Sequence, residues 1–304
     1  MHLGMNITQS FRTWAMPICM ILGALMCRWI VVVDSALEGM LTPVFIFTML
    51  FFTFCRVDAR KIRFSGMHLW LMLFQIVVAP VLFYLLRSFD VVVAQGAMIC
   101  VLAPVAMAAV VIGGMLGANI ETMAAYSLLC NAVIAFIAPY MLHTFGNGEC
   151  TMMEILQRVA PLLLAPFVAG QMCRKWLPKM SDWVGKHSNI SFYIWLMSLM
   201  VIVGRTTSFL LDCTQADRMT ELLLAAIALV VCLLQFAVGR YVGRKYGDTV
   251  AGGQSLGQKN TVLAVWLSQA FLDPISSVAP TAYIVWQNIV NSYQLWRSGE
   301  GGKG

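Results

Sequence analysis

The chain has 304 residues, of which 60% are hydrophobic and 11% charged, and its mean hydropathy is +0.79. An average soluble domain carries about 25% charged residues, so this composition excludes an ordinary soluble enzyme and a disordered chain and points to an integral membrane protein. The net charge of +6 is spread over short, separated basic segments, which is not the footprint of a nucleic-acid-binding surface.

A hydrocarbon layer about 30 Å thick needs about 20 apolar residues per helix. On that scale the sequence predicts ten spans, at 12–33, 40–56, 67–87, 91–118, 121–145, 153–174, 189–211, 219–240, 248–272 and 275–296. The first is read as a retained helix and not a signal peptide. Arg28-Trp29 follows its apolar run without a small-residue cleavage site, and the run continues through Val31, Val32 and Val33. The fourth span carries Pro104 and Gly113-Gly114. The ninth carries Gly252-Gly253-Gln254-Ser255 and Gly257-Gln258-Lys259-Asn260. Such segments are poor continuous helices, and both are predicted to break near mid-membrane.

Basic residues cluster after span two (Arg56, Arg60, Lys61, Arg63), after span six (Arg174, Lys175, Lys179, Lys186), after span eight (Arg240, Arg244, Lys245) and at the termini (Arg12, Arg297, Lys303). The acidic pairs Asp34/Glu38, Glu149/Glu154 and Asp212/Asp217 fall on the other side. By the positive-inside rule both termini are cytoplasmic, which requires an even number of spans. A bacterial inner membrane is the expected location. The nine Cys form no CxxC pair and no zinc-spaced Cys/His cluster, and no cofactor or metal is expected. Cys150 and Cys213 both fall in outer loops, which leaves a disulfide between them open.

The chain divides near Gly146-Asn147-Gly148 into halves 1–146 and 147–304, each of five spans with the fourth interrupted. An odd number of spans inverts the second half. Pro17 with Met26-Cys27-Arg28-Trp29 is echoed by Pro161 with Met172-Cys173-Arg174-Lys175-Trp176. The expected fold is therefore all-α: ten transmembrane helices in two inverted five-helix repeats, with helices four and nine broken. Paired interrupted helices in inverted halves mark the binding site of a secondary transporter.

Lys259 lies about 16 Å into its span, counted from Asp248 at about 1.5 Å per residue. An ionisable group at that depth is a functional candidate. It can replace a coupling cation, bind an anionic substrate, or titrate and couple transport to protons. It can also line a wet cavity against backbone carbonyls with no transport role. Asn260, Gln287 and Asn288 offer donors and acceptors on otherwise apolar helices, suited to a hydroxylated or carboxylated substrate or to interhelical ties. Met107, beside the break in span four, is a candidate cavity wall or packing residue. Gln75 and Gln235 read as interhelical ties, Arg205 as structural, and Glu121 as the acid of a helix N-terminus.

Gly257-Gln258-Lys259-Asn260-Thr261-Val262-Leu263-Ala264, Asp273-Pro274 and Val285-Trp286-Gln287-Asn288-Ile289 resemble the bile acid:sodium symporter family. That family has a Gly-x-x-Asn element in its ninth helix, then an (Asp/Asn)-Pro turn, then Val-Trp-(His/Gln)-Asn in its tenth. Gln75 to Pro80 matches its Gln-x4-Pro element. The resemblance implies a panel domain and a core domain, with two broken helices crossing in the core. It also implies carriage of organic anions, bile acids and small carboxylates among them, usually driven by sodium. It puts Asn260 and Gln287 near the substrate crossing point. The departures concern the ion. The family's Ser-Asn pair falls on Ala109 and Val110, its two hydroxyl ligands on Met123 and Ser127, its Glu on Ser255 and its Gln on Lys259. Gln75, Ser127 and backbone carbonyls remain as oxygen donors, with Ser255, Gln258 and Lys259 in the family's ligand frame. Sodium needs several hard oxygens, and an ammonium repels it.

The sequence thus predicts a secondary active transporter of a small organic anion, working by alternating access without the usual sodium sites. The departures argue against sodium and leave a proton open as the coupling ion. The alternatives are a proton-coupled or exchange carrier of another solute, and a transport-derived membrane sensor. An enzyme is not expected: there is no HExxH or acid-pair motif, and His2, His68, His143 and His187 fall at span ends or in loops.

Overall fold

The computed structural model describes Ala15 and residues 17–55, 63–148, 150–186, 188–212 and 218–300. Among the described residues the regular elements are helices: α1 (Pro17–Leu25), α2 (Cys27–Ala36), α3 (Leu41–Phe54), α4 (Gly66–Leu86), α5 (Val91–Leu102), α6 (Met107–Met115), α7 (Ile120–Phe145), α8 (Met152–Trp176), α9 (Pro178–Lys186), α10 (Ser188–Asp212), α11 (Arg218–Lys245), α12 (Thr249–Gly257), α13 (Thr261–Phe271) and α14 (Val278–Glu300), with a 3-10 turn at Pro274–Ser277. Of these, α4, α7, α8 and α11 are each long and apolar enough to cross a membrane, and α1 with α2 makes a fifth such segment. The protein is a multi-pass membrane protein.

The helices pack in two groups. In one, α3 joins α8 and α10, and α10 joins α2. Small residues set the approach: a Cβ on Gly23 would meet the Met200 backbone, and one on Gly170 would meet the backbone of Phe54 and Cys55 at 2.9–3.0 Å. In the other, α11 is central, with α12, α14 and α5 against it and α4 against α5. Two surface cavities mark opposite ends of the molecule. One, of about 660 Å³, is lined by Ser65, Asn119, Tyr246 and Asp248, where α4, α7 and α12 begin. The other, of about 180 Å³, is lined by Leu142, Cys150, Phe271 and Pro274, where α7 and α13 end.

Three expectations change. The first span is not one helix: α1 and α2 meet at 77° around Met26. No Pro or Gly marks the bend. Past it, polar ties bind α2 to α10: Asp34 pairs with Arg205 at 3.0 Å, and Arg28 lies 3.4 Å from the Ser208 hydroxyl. Asp34 is therefore not a loop acid but a helical residue buried in the packing. The segment after span six is not a loop, since it folds as α9. The glycine pairs do not break their helices. Gly113-Gly114 lies inside α6 and Gly252-Gly253 inside α12, where they allow close packing. The breaks fall at residues 103–106 and 258–260, at the Pro104 and Gly257–Asn260 segments that interrupt the two predicted spans.

The Asp34–Arg205 pair carries a measurable consequence. The second Asp34 oxygen has no partner among the described residues, so Arg205→Ala removes the one side-chain partner they give this buried carboxylate. A loss of about 1–3 kcal/mol in detergent unfolding is expected. That is less than the 3–5 of a fully buried pair, because Arg205 is 25% exposed. The double variant Asp34→Asn/Arg205→Gln is expected to recover most of it.

Candidate functional site

A helix that stops in hydrocarbon leaves its last carbonyls without intrahelical partners. Pro104 forces this at the end of α5: it has no N–H and holds Ala103 extended (φ −51°, ψ 136°). Each orphaned carbonyl is met from elsewhere. The Cys100 carbonyl accepts from the Gln235 amide at 3.2 Å. The Val101 carbonyl accepts from Lys259 Nζ at 2.9 Å. Gln75 Nε2 spans Leu102 and Ala103, donating at 2.8 and 2.9 Å, and the Pro104 carbonyl accepts from Asn260 N–H at 2.8 Å.

The second break answers the first. Ala106 N–H donates to the Gln258 carbonyl at 2.9 Å, and Val105 and Lys259 form an antiparallel bridge. The two unwound segments thus cross as a two-stranded contact inside the bundle. At the end of α12 the Gly257 carbonyl accepts from the Tyr283 hydroxyl at 2.8 Å, and Tyr283 in turn accepts from Gln235 at 3.0 Å. Asn260 caps α13, its Oδ1 accepting from Leu263 N–H at 3.2 Å. Gln287 Oε1 accepts from the backbone N–H of Lys259 at 3.0 Å and holds the crossing to α14.

Lys259 sits at the centre of this contact and is 1% exposed. Its ammonium lies against the C-terminal end of α5, where the helix dipole is negative. A carbonyl at the end of a half-helix is the kind of group that holds a coupling cation in secondary transporters. Here a tethered ammonium donates to it.

The candidates divide accordingly. Lys259, Asn260, Gln287 and Gln75 meet at the crossing. Gln258 is one residue away, its Oε1 accepting from Asn291 Nδ2 at 2.7 Å. Ser255 is buried on α12, and its hydroxyl has no partner among the described residues. Ser127 is buried on α7, and its carbonyl accepts from Asn131 at 2.8 Å. Asn288 turns to its own helix, donating to the Ile284 carbonyl at 2.6 Å, a bond within α14 and not a tie between helices. Met107 opens α6, and its side chain lies outside the described residues. Cys213 also lies outside them, and Cys150 is half-buried beside His143. Met123 and Ala109 are buried apolar groups with no oxygen to offer an ion.

Reading the sequence did not single out Tyr126, Tyr283 or Asn291. Tyr126 donates to Gln75 Oε1 at 3.2 Å. Each tyrosine is the partner of a Gln buried in an apolar helix, Tyr126 of Gln75 and Tyr283 of Gln235.

A family model covers residues 44–290, including both breaks, Lys259 and α11, and its description is the SBF-like CPA transporter family. The chain belongs to that family. It is a membrane transporter, and its family is the one that the motifs at Gly257–Ala264 and Val285–Ile289 resemble. A comparison with curated proteins found no match. The matched residues include the crossing of the two unwound segments, whose irregular backbone is satisfied by the protein groups around it.

Proposed function

We propose that the protein is a secondary carrier of a small organic anion, working by alternating access, in which the Lys259 ammonium takes the place of the family's sodium. One observation carries this: Lys259 Nζ donates to the Val101 carbonyl at the crossing. The positions that would supply further oxygens hold Ala109, Val110 and Met123. Two helix starts at the crossing, that of α6 without a side-chain cap and that of α13 capped by Asn260, support an anionic substrate. The α6 N-terminus has no side-chain cap, and α13 begins at the same crossing, so both offer positive dipole ends near the ammonium.

Two inverted five-span halves are part of this reading. Asp90 caps α5 through Val93 N–H, and Asp248 caps α12 through Ala251 N–H. Gln75 with Tyr126 corresponds to Gln235 with Tyr283. The halves are also tied crosswise. Asp248 accepts from Asn119 N–H at 2.8 Å, and Gln95 accepts from Asp273 N–H at 3.0 Å, so each broken span holds the start of the other half's last span. The ends carrying Asn119 and Asp248 then belong to the Lys/Arg-rich side, which is cytoplasmic by the positive-inside rule.

The test is a melting comparison of purified protein in sodium chloride and choline chloride at matched ionic strength. A ligand that binds only the folded state stabilises it by about 2.7 kcal/mol at one hundred times its Kd. No sodium-specific rise in Tm is expected. A clear rise would mean that a sodium site survives and that Lys259 does not replace it.

A further inference from the structure

The end of α8 and all of α9 carry a surface that the crossing does not use. Pro178 holds Leu177 out of the helical region (φ −126°, ψ 58°) and ends α8. The chain then restarts as α9, with Pro178 at its first position. One face of α9 folds back over the ends of α3 and α8. Ser181 and Val184 are buried there, Val184 against Cys55 and Cys173. The Ser181 hydroxyl donates to the Cys55 carbonyl at 2.9 Å, and Gln171 donates to the Phe54 carbonyl at 2.9 Å. These bonds satisfy the last carbonyls of α3 and pin α9 across the helix ends.

Beside this buried face the segment carries exposed apolar and basic groups together. Trp176, Leu177, Met180 and Trp183 are 63%, 55%, 41% and 48% exposed. They lie among Arg174, Lys175 and Lys179, and Asp182 is the one acid of the sequence 174–186. α9 packs on the end of α8, a helix long and apolar enough to cross a membrane, and so lies where that helix reaches the interface. Apolar and indole groups beside a basic stripe are what seat such a helix among headgroups. The basic stripe adds a charge preference that apolar contact alone does not supply.

We propose that α9 and the end of α8 form a binding surface for anionic phospholipid headgroups of the Lys/Arg-rich leaflet. The apolar face enters the headgroup boundary, and Lys175 and Lys179, both exposed, meet the lipid phosphates. Because α9 rests on α3 and α8, bound lipid anchors that helix group at the interface while the group around α11 is left free of it.

The full chain in non-ionic detergent is titrated with phosphatidylglycerol or phosphatidylcholine, and Tm is followed. Phosphatidylglycerol is expected to raise Tm where phosphatidylcholine at the same mole fraction does not. Lys175→Gln/Lys179→Gln is expected to need at least about tenfold more phosphatidylglycerol for half the rise, while Lys175→Arg/Lys179→Arg keeps the wild-type response. Soluble glycerol 1-phosphate is expected to leave Tm unchanged. Should the Gln pair fail to fold, wild-type protein in high salt replaces it, and there the lipid-specific rise should collapse. Equal effects of the two lipids, a full response in the Gln pair or in high salt, or a rise with glycerol 1-phosphate would overturn the proposal.

Discussion

Lys259→Met is expected to abolish transport and to lower stability by about 1–3 kcal/mol. Met is close in volume and unbranched, so packing changes little. What is lost is the donor to the Val101 carbonyl. That carbonyl is buried at a helix end in which every neighbour is already engaged: Gln235 on Cys100, Gln75 on Leu102 and Ala103, Asn260 on Pro104. None can be shared without orphaning another group, so the full penalty of an unsatisfied acceptor remains. Transport suffers more than stability, because the charge at the crossing goes as well. Sodium is not expected to rescue the variant, since Ala109 and Met123 bring no oxygen to the position. The measurements are detergent unfolding and counterflow of a labelled organic anion in proteoliposomes. Wild-type flux in Lys259→Met would remove the ammonium from the mechanism.

Gly252→Ala costs about 1–3 kcal/mol and disturbs the crossing from a distance. A Cβ at Gly252 would collide with the Gly239 carbonyl and come within 2.6 Å of Gly243 Cα and 2.8 Å of Gly243 N. These are backbone atoms of α11, which cannot rotate away, so α12 must shift as a body. Gln258 and Lys259 follow it directly in the chain, and the bonds to Ala106 and Val101 lengthen with it. Gly114→Ala is the control. Its Cβ meets the Ile120 side chain at 3.1 Å, which has rotamers to yield, and a change within about 0.5 kcal/mol is expected. Unfolding midpoints of the two variants decide it; equal losses would mean that the α11–α12 approach is not special.

Much of the architecture was legible in the chain because the bilayer writes its requirements one-dimensionally. A span must be apolar for about 20 residues, and Pro104 marked a place where α5 could end, although Pro80, Pro139, Pro161 and Pro166 lie inside helices that continue through them. Lys259 stood out for the same reason: its position along an apolar run is enough to make it costly and therefore notable. The family followed from Gly257–Ala264 and Val285–Ile289, which are contiguous motifs.

Other features depended on pairs far apart in the chain, and no local pattern announces those. Gly252-Gly253 has the composition of a breaker, yet stays helical, because Gly239 and Gly243 on α11 give it a backbone to pack against. The break falls instead at Gln258–Asn260, where the carbonyls and amides of the α5 end supply the hydrogen bonds that an unwound segment needs. Arg205 was recognisable as structural, but its partner Asp34 was not, since α2 reaches α10 only after the bend at Met26. Sequence could state that Lys259 is deep. Only the tertiary structure, by ending α5 beside it, decided that its ammonium would meet the Val101 carbonyl: a charge in hydrocarbon takes whatever polar group the fold leaves unsatisfied nearby.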